Sequence, residues 1–152
     1  MRQREEKDRG DEDRWKRLEV WQLADALAHS IYRATKAFPP DELYGLTSQL
    51  RRASLSIPTN IVEGYARGGD RELGRFLDIA LGSLAEAKYL LHFAGSLGYL
   101  PSNQQADLQG QANHLGRKLW RFSSAVKGKP LRRSASKGTR KQAGEEARKL
   151  GG

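Results

Sequence analysis

The sequence contains no cysteine, and its 152 residues include only 3 histidines. Without cysteine the chain has no disulfide, no cysteine nucleophile and no thiolate ligand for zinc or an iron–sulfur cluster. His29, His92 and His114 lie far apart in the sequence, and no nucleophile or metal-ligand spacing accompanies them. We therefore predict a protein that is not an enzyme and that carries no metal and no cofactor.

Long apolar runs are also absent. No window approaches the roughly 18 uncharged apolar residues that a membrane-spanning helix needs. The N-terminal sequence MRQREEKDRGDEDR has no apolar segment of the kind found in signal peptides. These absences predict a cytoplasmic protein without a membrane partner. The apolar residues cluster in residues 15–126, where a chain of this length is expected to build one core.

The formal net charge of +9 is divided unevenly along the chain. Residues 1–14 carry five basic and six acidic side chains, residues 15–126 carry thirteen and ten, and residues 127–152 carry nine and two. The first segment is predicted to be a charged extension. The last is rich in Lys, Arg, Gly and Ser with little to bury, which predicts a disordered basic tail. Its arginines include Arg132 and Arg133.

A basic tail gains free energy on any polyanion because it releases bound counterions. Nucleic acid is therefore its expected partner, and an anionic membrane surface is a weaker alternative. The alternative is that the tail only keeps the protein soluble.

Four segments within residues 15–126 have apolar residues every three or four positions, which is the spacing of an amphipathic helix. The first helix is predicted from about Trp15 to Ala37, because Pro39 and Pro40 cannot continue it. The short connections favour antiparallel neighbours. We therefore predict an all-α fold, an antiparallel up-down-up-down four-helix bundle.

The second helix is predicted to begin at a cap formed by Asp41 and to continue through Pro58 with a kink, although two abutting helices are an alternative. The carbonyl freed near Ser54 would be taken up by the hydroxyl of Ser54 or Ser56, or by water. The apolar stripe of this helix is Leu43, Leu46, Leu50, Leu55 or Ala53, Ile57 and Ile61.

The third helix is predicted to be capped by Asp70 and to stop at Gly98, and the fourth to open with an S-x-x-Q capping box at 102–105. Gly74 and Gly82 lie nearly on one face of the third helix. They are candidates for a close approach by another helix of the bundle or by another subunit.

Two runs in the centre of the chain form a distinctive pattern: YGLTSQLRRASLSIPTNIVEGYARG at 44–68 and ELGRFLDIALGSLAEAKYLL at 72–91. The sequence LEVWQLA at 18–24 and the turn at 38–39 fit the same pattern. Over about residues 15–126 the chain resembles the four-helix bundle family of 23S rRNA intervening-sequence proteins. Two features depart from that family: Val62 stands where alanine is common, and the tail is unusually long.

The same family includes the accessory variability determinants of diversity-generating retroelements. These are basic proteins that assemble as homopentameric barrels and associate with a reverse transcriptase and its RNA. The resemblance therefore implies a homo-oligomeric ring, a pentamer, that is linked to nucleic acid and has no known catalysis. It also implies a reverse transcriptase as a candidate partner.

Cationic side chains within the predicted bundle recur in three groups that are candidates for phosphate contacts. The groups are Arg51 and Arg52; Arg67, Arg71 and Arg75; and Arg117, Lys118 and Arg121. The alternative is an ordinary solvated helix face with local ion pairs, such as Arg67 or Arg75 with Glu63, Glu72 or Asp78. Our hypothesis is that the groups of several subunits merge into one positive surface.

Two other sets of residues are interpreted as structural. Ser54, Ser56, Asn60 and Glu63 are expected to satisfy backbone groups around Pro58 and to tie helices or subunits together. The large aromatics are expected to pack in the core or at an interface, although exposed rings would be able to stack on bases. These aromatics are Trp15, Trp21, Trp120, Tyr44, Tyr65, Tyr89 and Tyr99.

The sequence therefore predicts a non-enzymatic, oligomeric protein that binds structured RNA or DNA through the phosphate backbone with little base readout. A reverse transcriptase or the ribosome is the partner to which it would present that nucleic acid. The alternative is a protein-interaction module whose ring docks another protein, with the basic tail incidental.

Overall fold

The computed structural model describes residues 13–128, which form four α-helices and contain no strand. Each helix packs against the next one along the chain, and the fourth helix also packs against the first. Paired contacts show antiparallel neighbours, because residue numbers rise on one helix as they fall on the other: Gln49–Glu86 with Ser56–Ser83, and Glu19–Lys118 with Ser30–Gln111. The predicted all-α four-helix bundle is confirmed. The helices are α1 (Glu19–Thr35), α2 (Leu46–Ala66), α3 (Asp70–Ser96) and α4 (Ser102–Lys127), and 3₁₀ helices Arg14–Arg17 and Pro40–Glu42 precede α1 and α2.

The core is built from the apolar stripes of all four helices. On α2 the stripe passes through Ala53, which is 4% exposed, whereas Leu55 is 49% exposed. Leu43 was predicted to belong to this stripe, but it precedes the helix and is exposed. Each fully buried Leu or Ile contributes about 1.5 to 3 kcal/mol relative to an exposed one. The largest are Leu27, Ile31, Leu50, Ile57, Ile61, Leu77, Leu91, Leu115 and Leu119.

The predicted starts of the first two helices are wrong. Residues Arg14–Arg17 form a 3₁₀ turn, and Leu18 is extended, so α1 begins at Glu19. Residues Pro40–Glu42 form a second 3₁₀ turn, so α2 begins later, at Leu46. Its first backbone N–H donates to Glu42 Oε2 at 3.0 Å. Glu42 therefore performs the capping that the sequence assigned to Asp41.

The predicted side-chain caps of the last two helices are also wrong. Gly69 and Pro101 occupy the cap positions, and neither makes a side-chain capping hydrogen bond. Gln105 instead turns towards α3 and donates from Nε2 to the Leu91 carbonyl at 3.4 Å. The predicted end of the third helix is confirmed, because Gly98 adopts a left-handed φ of 77° just after it.

Helix α2 continues through Pro58 as one element, as predicted. The two serine hydroxyls do not take up the freed carbonyl of Ser54. Ser54 Oγ donates to the Arg51 carbonyl at 2.9 Å, and Ser56 Oγ pairs with Ser83 Oγ at 2.8 Å. The hydroxyl alternatives are therefore wrong, and Ser56 links α2 to α3.

Two helices approach closely at Gly64, near the end of α2. A Cβ atom on this residue would lie 2.7 Å from Phe76 Cβ and 3.2 Å from Leu73 Cδ1. Of the two glycines singled out on the third helix, Gly74 is covered by the Lys127 side chain. At Gly82 no described atom beyond the adjoining residues and backbone of its own helix lies within 4 Å of the Cβ position, so a contact there with another subunit stays a prediction.

Candidate nucleic-acid interface

The two adjacent arginines of α2 have different surroundings. Arg51 is half-buried: its Nε donates to Thr35 Oγ1 at 2.8 Å, its Nη2 donates to the Tyr32 carbonyl at 3.3 Å, and its guanidinium lies 4.9 Å from the Tyr32 ring centroid. Arg51 therefore satisfies the C-terminal end of α1, which is a structural role. Arg52 is exposed and lies in a groove between α2 and α3 that also contains Glu86.

Arg67, Arg71 and Arg75 come together around the connection between α2 and α3. The guanidinium groups of Arg67 and Arg75 lie 5.5 Å and 4.7 Å from the ring centroid of Phe76. Arg75 Nη2 also donates to Glu72 Oε2 at 3.2 Å. Arg71 is exposed and makes no ion pair within residues 13–128. The structure thus brings this predicted group together, and we call these three residues the arginine loop.

Local pairing in the arginine loop is only partial. Of the carboxylates considered as partners, Glu72 pairs with Arg75, whereas Asp78 contacts Lys127 Nζ on α4. Glu63 forms no ion pair in the described part of the chain. Of the three guanidinium groups, only that of Arg75 therefore has a carboxylate partner among the described residues. The Arg75–Glu72 pair is exposed, so it contributes little to stability.

Glu72 reports the positive potential of the arginine loop. The hydrogen bond from Arg75 and the charge of that residue lower the pKa of Glu72, desolvation opposes them, and the charges of Arg67 and Arg71 add smaller contributions to the lowering. Its contribution to stability is therefore present above the pKa of the unfolded chain and is lost as the pH falls through the folded value.

We expect Arg75→Gln to raise the pKa of Glu72 towards its ordinary value, because the largest causes of its lowering come from Arg75. A ¹³C NMR titration of the side-chain carboxyl measures this pKa. Arg71→Gln is the matched control and should move it less, because Arg71 is the weakest cause. An equal pKa in wild type and Arg75→Gln would contradict the geometry.

The third predicted group divides between two surfaces. Lys118 Nζ pairs with Glu19 Oε1 of α1 at 3.4 Å. Arg117 and Arg121 instead face a groove between α3 and α4, and neither side chain makes an ion pair or a hydrogen bond within the described residues. Sequence reasoning missed Lys88, which reaches the same groove from α3 and has no nearby basic neighbour in the sequence. The groove is lined by Leu81, Lys88, Asn113, Gly116, Arg117, Trp120 and Arg121.

The aromatic side chains only partly follow the packing interpretation. Trp15 and Trp21 are in edge contact, with ring centroids 4.7 Å apart, and Tyr99 packs against Phe38 at 5.5 Å. Three rings are not part of the core of the described chain, since Tyr44 is 94%, Tyr89 61% and Trp120 37% exposed, and an interface role for them stays a prediction. Nothing in the helical spacing separates these rings from the packed ones, because exposure depends on which neighbours cover them.

The polar residues around Pro58 form a structural network. Asn60 Nδ2 donates to the Ser56 carbonyl at 2.7 Å and to Ser56 Oγ at 2.9 Å, and Ser56 is bonded to Ser83. This network ties α2 to α3, which confirms the interpretation for Ser56 and Asn60; Ser54 bonds only within α2, and Glu63 is exposed and takes no part in the network. No group of three His, Asp or Glu side chains suited to a metal ion occurs in residues 13–128.

Some predicted residues lie outside the described part of the chain. These are Arg132 and Arg133, together with nearly all of the predicted disordered tail and the N-terminal extension. Lys127, the first residue of the predicted tail, is the last residue of α4, and Gly128 follows it with a left-handed φ of 66°. Arg14, at the end of the predicted extension, lies in the first 3₁₀ turn.

The fold and its surface define a small cationic four-helix bundle protein. The model of the 23S rRNA-intervening sequence protein family matches residues 16–121, and the chain belongs to that family. The family resemblance of the central sequence is thereby confirmed. Comparison with curated proteins gives no match. No helix within residues 13–128 is long and apolar enough to span a membrane.

A solved structure shares this fold. It is a protein of unknown function from the S23 ribosomal protein family of Bacteroides thetaiotaomicron, with a TM-score of 0.62 and 20% sequence identity. The match covers 68% of this chain and 97% of the other. At this identity the likeness supports the bundle architecture, and function has to be argued from this chain's own surface.

Proposed function

We propose that this protein binds structured RNA or DNA through the phosphate backbone, without catalysis, and that it does so in the cytoplasm. The arginine loop is the observation that supports the proposal. Its three arginines lie at one helix connection, the guanidinium groups of Arg67 and Arg75 pack on the same ring, and only Arg75 is engaged by a carboxylate of the described chain. Guanidinium groups bind phosphate oxygens in bidentate geometry. The family description names 23S rRNA, which makes RNA the first nucleic acid to test.

We further propose that copies of the chain assemble, so that their arginine loops add together. Residues 15–126 have thirteen basic and ten acidic side chains, a small excess for one copy. Exposed apolar side chains on α2 and α3, among them Leu55, Ile79 and Phe93, offer surface for subunit contacts. Resemblance to the retroelement accessory proteins suggests a pentamer and a reverse transcriptase partner. The mass of the particle in solution tests the assembly.

Filter binding at graded salt, with and without residues 129–152, tests the nucleic-acid proposal. We expect the shortened protein to keep binding a structured RNA, with a shallower dependence on salt because fewer phosphates are neutralised. If the shortened protein binds nothing while a peptide of residues 129–152 binds every nucleic acid weakly, the bundle is not the receptor. That result would favour a module that docks another protein.

A further inference from the structure

The groove between α3 and α4 differs in charge from two other grooves on the bundle surface. Lys88, Arg117 and Arg121 line it, and no carboxylate does. The α1–α4 groove contains Arg33 together with Asp107, and the α2–α3 groove contains Arg52 together with Glu86. These two grooves are therefore balanced, whereas the α3–α4 groove carries three uncompensated positive charges. Its electrostatic complement is an anion.

The three cations are available to a ligand. Within the described part of the chain, none of them makes an ion pair or a side-chain hydrogen bond with another residue. Their alignment follows from helix geometry, because Arg117 and Arg121 are four residues apart on one face of α4 while Lys88 faces them from α3. An anion in the groove would thus be contacted from both helices.

Trp120 adds an aromatic surface to the same groove. Its side chain is 37% exposed, and no aromatic ring or cation packs on it within residues 13–128. By contrast, Trp15 and Trp21 cover one another, and Phe76 is covered by two guanidinium groups. Leu81 supplies a further apolar contact in the groove. The groove therefore combines a partly exposed indole with three cations that have no partner among the described residues.

A planar aromatic group attached to an anion matches this combination, and a nucleotide is such a ligand. Bases stack on exposed aromatic side chains, while basic residues beside them track the phosphates. A base inside a duplex is already stacked between its neighbours, so only an unpaired base can lie on an indole. The Asn113 amide, which carries both donors and an acceptor, also lines the groove and can contact a base edge.

We propose that the α3–α4 groove binds an unpaired nucleotide, with its base stacked on Trp120 and its flanking phosphates contacted by Lys88, Arg117 and Arg121. This inference rests on the proposed nucleic-acid binding and names its substrate class: RNA that contains single-stranded segments or loops. The arginine loop would then bind the phosphate backbone of paired and unpaired strands alike, and the α3–α4 groove would distinguish unpaired from paired strands.

The test compares the full chain with Trp120→Leu, Trp120→Phe and Tyr44→Leu. Each protein is titrated with a single-stranded adenosine 12-mer and with a fully paired RNA duplex of similar length. We expect Trp120→Leu to lower affinity for the single strand about tenfold or more, in line with about 1 to 3 kcal/mol per stacked base. Duplex affinity should stay within about twofold of wild type, because the phosphate-binding cations are retained.

Two variants control this experiment. Trp120→Phe keeps an aromatic face and should retain most of the single-strand affinity. Tyr44→Leu removes the most exposed ring of the described chain from a different groove and should change neither affinity. Fluorescence adds a second readout: the single strand should quench the indole emission of wild type, and Trp120→Phe should lose that quenching while it still binds.

The possible failures are distinguishable. If wild type binds both RNAs and Trp120→Leu binds the single strand equally well, the groove proposal is wrong while the proposed function stands. An equal loss for single strand and duplex would also overturn it, because Trp120 would then act through packing. If wild type binds neither RNA, the proposed function itself fails, and the groove proposal fails with it.

Discussion

Replacing Arg71 and Arg75 by glutamine is expected to weaken RNA binding by the full chain by about 100-fold at 0.1 M salt. Each phosphate contact adds about 0.9 to the slope of log affinity against log salt, and this contribution vanishes at about 1 M salt. At 0.1 M, one decade lower, each contact therefore contributes about one decade of affinity, and two lost contacts remove about two decades. The slope of affinity against salt should fall by about two, and the loss should be similar for different RNA sequences. Filter binding at four or five salt concentrations measures both quantities.

A variant with the same change in net charge provides the control. The double variant Arg33→Gln, Lys36→Gln removes two exposed cations at the C-terminal end of α1. In this bundle that end lies opposite the arginine loop. We expect this pair to lower affinity only slightly. If both double variants lose the same affinity, RNA responds to the net charge of the molecule and the arginine loop is not a binding site.

Gly64→Ala is expected to lower the free energy of unfolding by about 1 to 3 kcal/mol. The added methyl group would lie 2.7 Å from Phe76 Cβ, a backbone-proximal atom that cannot swing aside. Relief therefore requires α2 and α3 to move apart, and close-packed cores resist such shifts. Urea unfolding, with an unchanged dependence on denaturant, measures the difference.

Gly110→Ala is the matched control for this substitution. Gly110 lies inside α4, and no described atom beyond the adjoining residues and backbone of that helix is within 4 Å of its Cβ position. The same change should therefore stabilise the protein by up to about 1 kcal/mol, because alanine is the better helix former. If Gly64→Ala also stabilises the protein, the close approach of α2 and α3 at this residue is not present in solution.

The helices were predictable from sequence, whereas their first residues were not. Apolar spacing depends only on the chain's own periodicity, so it located four helices and the ends set by proline and Gly98. A cap depends on which polar side chain reaches the first free N–H groups. Glu42, in the 3₁₀ turn before α2, accepts from the first N–H of that helix. Gln105 instead donates to the Leu91 carbonyl of α3, close to Gly95. Both outcomes depend on tertiary contacts.

The candidate interface was predictable as a set of arginines but not residue by residue. Arg51 and Arg52 are neighbours in sequence, yet one satisfies the end of α1 and the other is exposed, since adjacent residues point about 100° apart on a helix. The α3–α4 groove was not predictable, because Lys88 and Trp120 meet only when the bundle has formed. Only the arginine loop, which is local in sequence, could be recognised as one group.

The up-down order of the helices brings the last residue of α4 beside the first turns of α3. Lys127 covers Gly74 and contacts Asp78 there, although it is distant from both in the sequence. A shortened protein that ended before Lys127 would therefore lose a cation next to the arginine loop as well as the basic tail. A truncation that begins after this residue keeps the two contributions to binding separate.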